Sequence, residues 1–428
     1  EKWKTVVITV VERPWFAPEL RFGLSTGEGI RGGGEVAFRN LFGSAIAFSI
    51  NGQISFLPTE LVLDEGVRKN FASLPLTARL PTRVTTSLQF PETGLGPLFR
   101  GVLDGVFVHD LQRDYYIRKF AAIPSLTYAP RREIRITVSQ SIEYNAVRIF
   151  NNDFDTYQRQ LVASGLRDRL NALLVPDGNS VVFAQKLAVA WDRRDNTLDA
   201  TKGTLVGFSV EHVDAFALDP AKSLTEEQLG RDSHFLKLTQ TLSGYLPIYK
   251  RLRVAAQMRV GANVQLTERS KTYTDRLFFL GGADSMRAWY PSTFIPQDDA
   301  DNIEADANKT VAAPTFGPRG ATRVPDPGRF TAQSRPVRGG NLLFNPRVEL
   351  RIPVVSVLET VVFADIGNLW ADIRYPFQRK EFPMRVSLGT GARLQTPVFP
   401  IVFDFGFNPW RRSYDDRSWA FNFAIGLF

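Results

Sequence analysis

The sequence predicts an all-β protein, an antiparallel barrel of about sixteen strands that crosses a membrane. Three observations predict it. Apolar residues recur at every second position from one end of the 428 residues to the other. The intervening positions carry charge too often for a dry core, where an unpaired charge is costly, but suit a wet lumen. Short turns alternate with long connections, as they do around membrane barrels.

The alternation is clearest between Ser44 and Phe56, where Ile46, Phe48, Ile50, Ile54 and Phe56 stand at even positions. Ala47, Ser49, Asn51, Gln53 and Ser55 stand at odd ones. Side chains of a strand point alternately to its two faces, so this pattern gives one lipid-facing and one lumen-facing side. Val206, Phe208 and Val210 alternate in the same way with Gly207, Ser209 and Glu211. Leu252, Val254, Ala256, Met258 and Val260 alternate with Arg253, Gln257 and Arg259. Leu342, Phe344, Val348, Leu350 and Ile352 alternate with Asn345, Arg347, Glu349 and Arg351.

In chain order the pattern predicts strands near 19–26, 30–41, 43–57, 79–91, 98–110, 113–128, 133–145 and 181–192. The second half adds 203–213, 234–246, 251–262, 341–353, 360–370, 384–396, 400–409 and 418–428. A tilted membrane strand needs about ten residues, which these supply. Pro81 and Pro91 interrupt or bound the fourth segment. Turns such as Pro130-Arg131-Arg132 and Tyr249-Lys250 alternate with long loops near 146–180, 214–233 and 263–340. The last is the longest and carries the acidic run Asp298, Asp299, Asp301, Glu304 and Asp306.

Composition agrees. No stretch of about 18 apolar residues occurs, which excludes a transmembrane helix. The 33 Phe, 11 Tyr and 7 Trp suit aromatic girdles at membrane interfaces, although a β-sandwich would also use them. The formal net charge of +8 is spread along the strands and not gathered in blocks, which argues against nucleic acid. Cysteine is absent, so there is no disulfide framework, thiolate metal site or Cys nucleophile.

Two enzyme-like patterns fail on context. Gly23-Leu24-Ser25-Thr26-Gly27 fits a nucleophile elbow, and Gly27-Glu28-Gly29-Ile30-Arg31-Gly32 fits a dinucleotide fingerprint. Each would need a following helix, and here another strand follows. His109, His212 and His234 are far apart in the chain and are expected to be isolated core or lumen residues. No catalytic set, metal site or cofactor is implied, and no enzyme activity is expected.

One segment of the longest loop stands out, Gly281-Gly282-Ala283-Asp284-Ser285-Met286-Arg287-Ala288-Trp289-Tyr290-Pro291. The glycines permit a tight backbone, and the aromatics could pack the loop into a confined space. By residue chemistry alone it fits equally well a surface loop with an isolated arginine.

The segment resembles the sixth extracellular loop of the BamA/TamA-like barrel-assembly family. There a Val-Arg-Gly-aromatic tetrad folds back into the lumen. Met286-Arg287-Ala288-Trp289 keeps the arginine and the aromatic and departs at Ala288. Phe363-Ala364-Asp365-Ile366-Gly367-Asn368-Leu369-Trp370 resembles the strand whose carboxylate receives that arginine. Asn345-Pro346-Arg347-Val348-Glu349 resembles the preceding strand, with Glu349 as a second acidic contact. Trp191-Asp192-Arg193-Arg194-Asp195-Asn196 through Lys202-Gly203 resembles the turn before the ninth strand, and Arg39-Asn40-Leu41-Phe42-Gly43 the turn after the second. Phe421-Asn422-Phe423-Ala424-Ile425-Gly426-Leu427-Phe428 resembles the aromatic-ended last strand. The likeness spans about residues 5–428.

The resemblance implies a bacterial outer-membrane barrel over 18–428 and the end of a periplasmic POTRA domain over 1–17. The opening EKWKTVVITV alternates like a strand and is no signal peptide, so the chain is expected to begin inside a longer exported protein. The resemblance also implies a lumenal loop lock of Arg287, Asp365 and Glu349, framed by Gly281, Gly282, Trp289 and Gly367. If that lock is the loop's tie, Arg287→Ala should free the loop without unfolding the barrel.

A lateral gate is expected between the first strand (Leu20, Phe22, Leu24) and the last (Trp419, Phe421, Phe423, Ile425, Gly426, Phe428). Expected partners are unfolded β-barrel clients, outer-membrane lipids and periplasmic or lipoprotein accessory subunits. The implied function is insertion of β-barrel proteins. The alternative is a polypeptide pore of the two-partner-secretion type.

Overall fold

A computed structural model describes residues 14–58, 65–163, 178–197, 199–218, 232–249, 252–268 and 270–312. It further describes 323–326, 328–332, 334–335, 337–355, 357–395, 400–415 and 417–425. The first strands are β1 (Phe16–Ser25), β2 (Gly29–Leu41), β3 (Ile46–Phe56), β4 (Thr82–Phe90), β5 (Phe99–Leu111) and β6 (Tyr115–Arg131). Next come β7 (Ile134–Ile149), β8 (Gly178–Asp192), β9 (Gly203–Ala217), β10 (Ser233–Tyr249) and β11 (Leu252–Gln265). After β12 (Thr310–Ala312) and β13 (Arg323–Pro325) the chain forms β14 (Leu342–Val355), β15 (Leu358–Trp370), β16 (Arg385–Gln395), β17 (Pro400–Phe407) and β18 (Trp419–Ile425).

Sixteen of these close an antiparallel barrel in sequence order, with β11 beside β14 and β18 beside β1. The other two, β12 and β13, pair only with each other inside the long loop. Each predicted strand is present. The fourth is trimmed to Thr82–Phe90, because a 3₁₀ turn over Leu76–Arg79 precedes Pro81. β1 starts at Phe16, so Phe16 and Ala17 belong to the barrel; residues 1–13, with the expected POTRA strand, lie outside the described residues.

Parity follows the sequence. On β3 Ile50 and Ile54 are exposed outward while Ser55 is buried inward. On β14 Val348 and Ile352 are exposed outward and Glu349 faces the lumen. An outer wall of exposed apolar residues is what lipid requires, and between neighbouring strands other than β1 and β18 the register pairs the backbone through the middle of each strand. No described helix is long and apolar enough to cross a membrane.

The helices lie in the loops of one rim: α1 (Glu65–Ala72), α2 (Asn152–Ala163), α3 (Gln297–Asp306) and α4 (Tyr375–Arg379). The acidic run of the long loop is α3. Asp298 and Asp299 stand in its first turn, where a helix dipole favours negative charge. Asp298 also accepts the backbone N–H groups of Ala371 (2.9 Å) and Asp372 (2.8 Å), which ties α3 to the top of β15. Phe154, Tyr157 and Leu161 of α2 pack on Ile295, Ala300 and Ile303 of this segment, forming a small core over the lumen.

Candidate functional site

The loop between β11 and β14 turns into the lumen at Gly281 and Gly282, both at positive φ (110° and 84°). A Cβ at Gly281 would collide with the Tyr290 carbonyl, so the turn requires glycine there. Gly282 N–H donates to Trp289 O (2.8 Å) and Trp289 N–H to Met286 O (3.1 Å), closing a compact knuckle around Arg287. Ala288 is not among the positive-φ residues, so the tetrad folds here without its glycine.

Arg287 is 1% exposed. Its Nε donates to Asp365 Oδ2 (2.9 Å) and its Nη2 to Asp365 Oδ1 (2.7 Å), a bidentate pair. The Arg287 backbone N–H donates to the same carboxylate (3.1 Å). Its Nη1 donates to Glu349 Oε2 (2.9 Å) and lies 3.7 Å from Asp404 Oδ2. The guanidinium carbon sits 3.4 Å over the Phe363 ring centroid, adding a cation–π contact. Trp289 Nε1 donates to Asp415 Oδ1 (3.1 Å), and Asn422 Nδ2 of β18 donates to Arg287 O (3.0 Å). Gly367 leaves room for Asn345 and Met286, which its Cβ would approach to 2.9 and 3.3 Å. The structure thus brings together every lock residue expected from sequence.

Sequence reasoning missed part of this site. Asp404 is a third lumenal acid, bonded twice by Arg393 (2.7 and 2.9 Å). Gly389 and Gly406 hollow the wall. A Cβ at Gly389 would collide with the Phe363 ring, and one at Gly406 with the Arg287 backbone. Their signal was small residues on the lumen parity of two strands, which alternation alone leaves unread.

A second ion-pair centre was missed altogether. Arg276, in a 3₁₀ turn at Thr274–Arg276, is bonded to Glu143 (2.6 Å) on β7, Glu211 (3.0 Å) on β9 and its neighbour Asp275 (2.6 Å). Lys119 on β6 joins Asp275 (2.6 Å) and Glu143 (3.1 Å). The Arg276 carbonyl accepts Lys237 Nζ (2.8 Å) from β10 and Asn263 Nδ2 (3.2 Å) from β11.

The seam is short. Among the described residues, β1 and β18 are in register only at Leu24↔Ile425 and Ser25↔Ala424, with Thr26 N–H donating to Phe423 O (2.9 Å) just beyond. β1 meets β2 in unbroken register from Phe16↔Phe38 to Ser25↔Gly29. Leu20 and Phe22, 78% and 73% exposed, have no partner on the β18 side among the described residues. Trp419 and Phe421 pair with Phe407 and Phe405 of β17. Among the described residues the expected gate faces therefore meet only at Leu24, Phe423 and Ile425; Gly426 and Phe428 lie outside the described residues.

An Omp85 superfamily domain matches residues 40–428. The chain belongs to the Omp85 superfamily. Its fold is similar to that of BamA from Haemophilus ducreyi lacking POTRA domains 1–3, at a TM-score of 0.64 and 15% identity, covering 97% of this chain and 70% of that one. It is also similar to CdiB from Acinetobacter baumannii, at a TM-score of 0.50 and 11% identity, covering 96% and 60%. As a barrel of the Omp85 superfamily the chain is placed in the bacterial outer membrane, with its longest loops all on one rim.

Within this Omp85 barrel the enzyme-like patterns resolve as structure. Gly23–Gly32 runs from the end of β1 through a tight turn into β2. No described group of three or more His, Cys, Asp or Glu could hold a metal. The expectation for two of the histidines is corrected. His212 and His234 are not isolated core residues but flank Asp214 (3.5 and 2.9 Å) on the outer face of β9 and β10. The register sets His234 opposite Asp214, with His212 two residues along β9 from Asp214 and diagonal to His234.

Proposed function

We propose that this barrel inserts and folds other β-barrel proteins into the outer membrane through the β1–β18 seam. The observation that carries the reading is the short register of that seam, beside a stretch of β1 that has no β18 partner among the described residues. A client strand entering lipid carries N–H and C=O groups that each cost several kcal/mol unpaired. An open strand edge can pair with them by β-augmentation. The work is done by backbone hydrogen bonding, without covalent chemistry. Unfolded barrel clients, and accessory subunits on the periplasmic side, are the partners this reading implies.

The second reading is export of a polypeptide through the lumen, and the likeness to CdiB favours it. The filled lumen weighs against it. A chain passing through would have to displace both the Arg287 and the Arg276 centres, whereas insertion at the seam leaves both in place.

These 428 residues contain no cysteine, so the test is direct. A Leu24→Cys/Ile425→Cys pair replaces two residues that face each other across the seam. Oxidised, it should keep the barrel folded and stop insertion of a client barrel into vesicles, and reduction should restore it. Undiminished insertion by the oxidised protein would overturn the seam mechanism and leave the lumenal route.

A further inference from the structure

The outer wall carries charge in one place. By register and parity, the outward-facing charged residues of the barrel strands are Arg118 on β6, Arg148 on β7 and Asp214 on β9, apart from Arg131 beside a short turn. All three stand toward the long-loop ends of their strands. Asp214 is satisfied by its two histidines. Neither arginine has a carboxylate partner among the described residues.

The height of the two arginines on the wall is set by what lies beneath them. Two residues toward the membrane from Arg118 is Phe120, 54% exposed, and four from Arg148 is Tyr144, 39% exposed. Phe183 and Phe216 continue this outward aromatic row on β8 and β9. Such a girdle marks the boundary between hydrocarbon and headgroups, and an arginine just above it avoids most of the cost of a lipid-facing charge.

The two arginines are also neighbours on the wall. Arg118 is opposite Ala146 and Arg148 is opposite Tyr116, which makes the arginines diagonal neighbours across β6 and β7, about 7–8 Å apart at their bases. The small Ala146 side chain leaves space between them. Arg148 is held along the wall by donating to Asn179 Oδ1 (3.1 Å) and Val147 O (2.7 Å), and Arg118 stacks 5.7 Å over the Tyr116 ring.

We propose that Arg118 and Arg148 form a binding site for the phosphate of a lipid headgroup in the leaflet on the long-loop side. Guanidiniums match phosphate geometry, and two on one anion give charge-assisted bonds that a single arginine cannot. The occupant is a lipid and not free phosphate, because the acyl chains lie against the aromatic row directly below. This rests on the membrane placement and not on the assembly reading.

The test compares the wild type with Arg118→Gln/Arg148→Gln by native mass spectrometry from detergent. The probes are bis-phosphorylated lipid A, its dephosphorylated form and inorganic phosphate. Wild type should retain the phosphorylated lipid about tenfold better than the dephosphorylated one, and the double variant should lose that difference. Arg118→Lys/Arg148→Lys should retain part of it, and Lys186→Gln, which removes a lumen-facing charge, should retain all of it. Equal retention by wild type and the Gln variant, or equal retention of both lipids by wild type, would overturn the site. Displacement of lipid A by equimolar inorganic phosphate would overturn its assignment to a lipid. Client insertion is not read, so failure here leaves the seam proposal standing.

Discussion

Arg276 and Arg287 belong to one loop but are gripped by opposite arcs of the barrel wall. Arg276 is held from β7 and β9, with Lys119 of β6 completing its cluster, and Arg287 is held from β14, β15 and β17. The loop is therefore a strut across the lumen, and releasing one end leaves the other attached.

The first prediction follows from that strut and revises the expectation from sequence that Arg287→Ala frees the loop. Removing one partner of a fully buried pair costs roughly 3–5 kcal/mol. Arg347 and Arg393 remain beside Asp365 and Asp404, so the loss at Arg287 should fall at or below the low end. Arg287→Ala alone should leave residues 270–312 protected from protease, as should Arg276→Ala. The double variant should be nicked there at least about tenfold faster, and with no shared partner the two losses should add within about 0.5 kcal/mol. Nicking of Arg287→Ala at the double variant's rate would refute a second anchor.

Gly389 tests the socket beneath Arg287. Gly389→Val should force the Phe363 ring and the Phe405 carbonyl apart and lower stability by about 1–3 kcal/mol, the usual cost of overpacking. Thr390→Val, one residue along and facing lipid, should change stability by less than about 0.5 kcal/mol. Urea unfolding in detergent distinguishes the two.

The outer wall predicts solvent behaviour. Exposed Phe120, Leu187, Phe208, Val348, Val362 and Phe405 belong to one apolar surface around the barrel. A patch of that extent associates in water. The refolded chain should be monodisperse only with detergent or lipid, and size-exclusion chromatography in plain buffer should show aggregates.

The turn before β9 carries a pH prediction. Asp195 is held well below the usual carboxylate range, first by the Thr201 hydroxyl (2.5 Å) and then by the backbone N–H groups of Lys202 (3.1 Å) and Thr201 (2.9 Å). A depressed acid stabilises the folded turn above its unfolded pKa and loses that contribution only as pH falls through the folded value. Exchange protection of the Thr201 and Lys202 amides should therefore persist from pH 7 to about 4. Asp195→Asn should weaken it across that whole range.

The barrel was legible because its cause is local. Lipid outside and water inside impose a period of two on each strand, and Ser44–Phe56 or Leu342–Ile352 displays it without any partner. Arg287, Asp365 and Glu349 were legible through motif resemblance, and the lumen parity of Glu349 agreed with it.

What the sequence by itself determined is the strand number, the face each side chain takes and the membrane those faces require. Only the tertiary structure decided which lumen residues share a height. Closing a barrel staggers its strands, so Asp404 comes level with Arg287 and Glu143 with Arg276 through the shear of the whole sheet. The same stagger brings the top of β1 against Ala424 and Ile425, leaving most of β1 without a described partner on the β18 side. No local pattern encodes that offset, because it is the sum of every register around the ring.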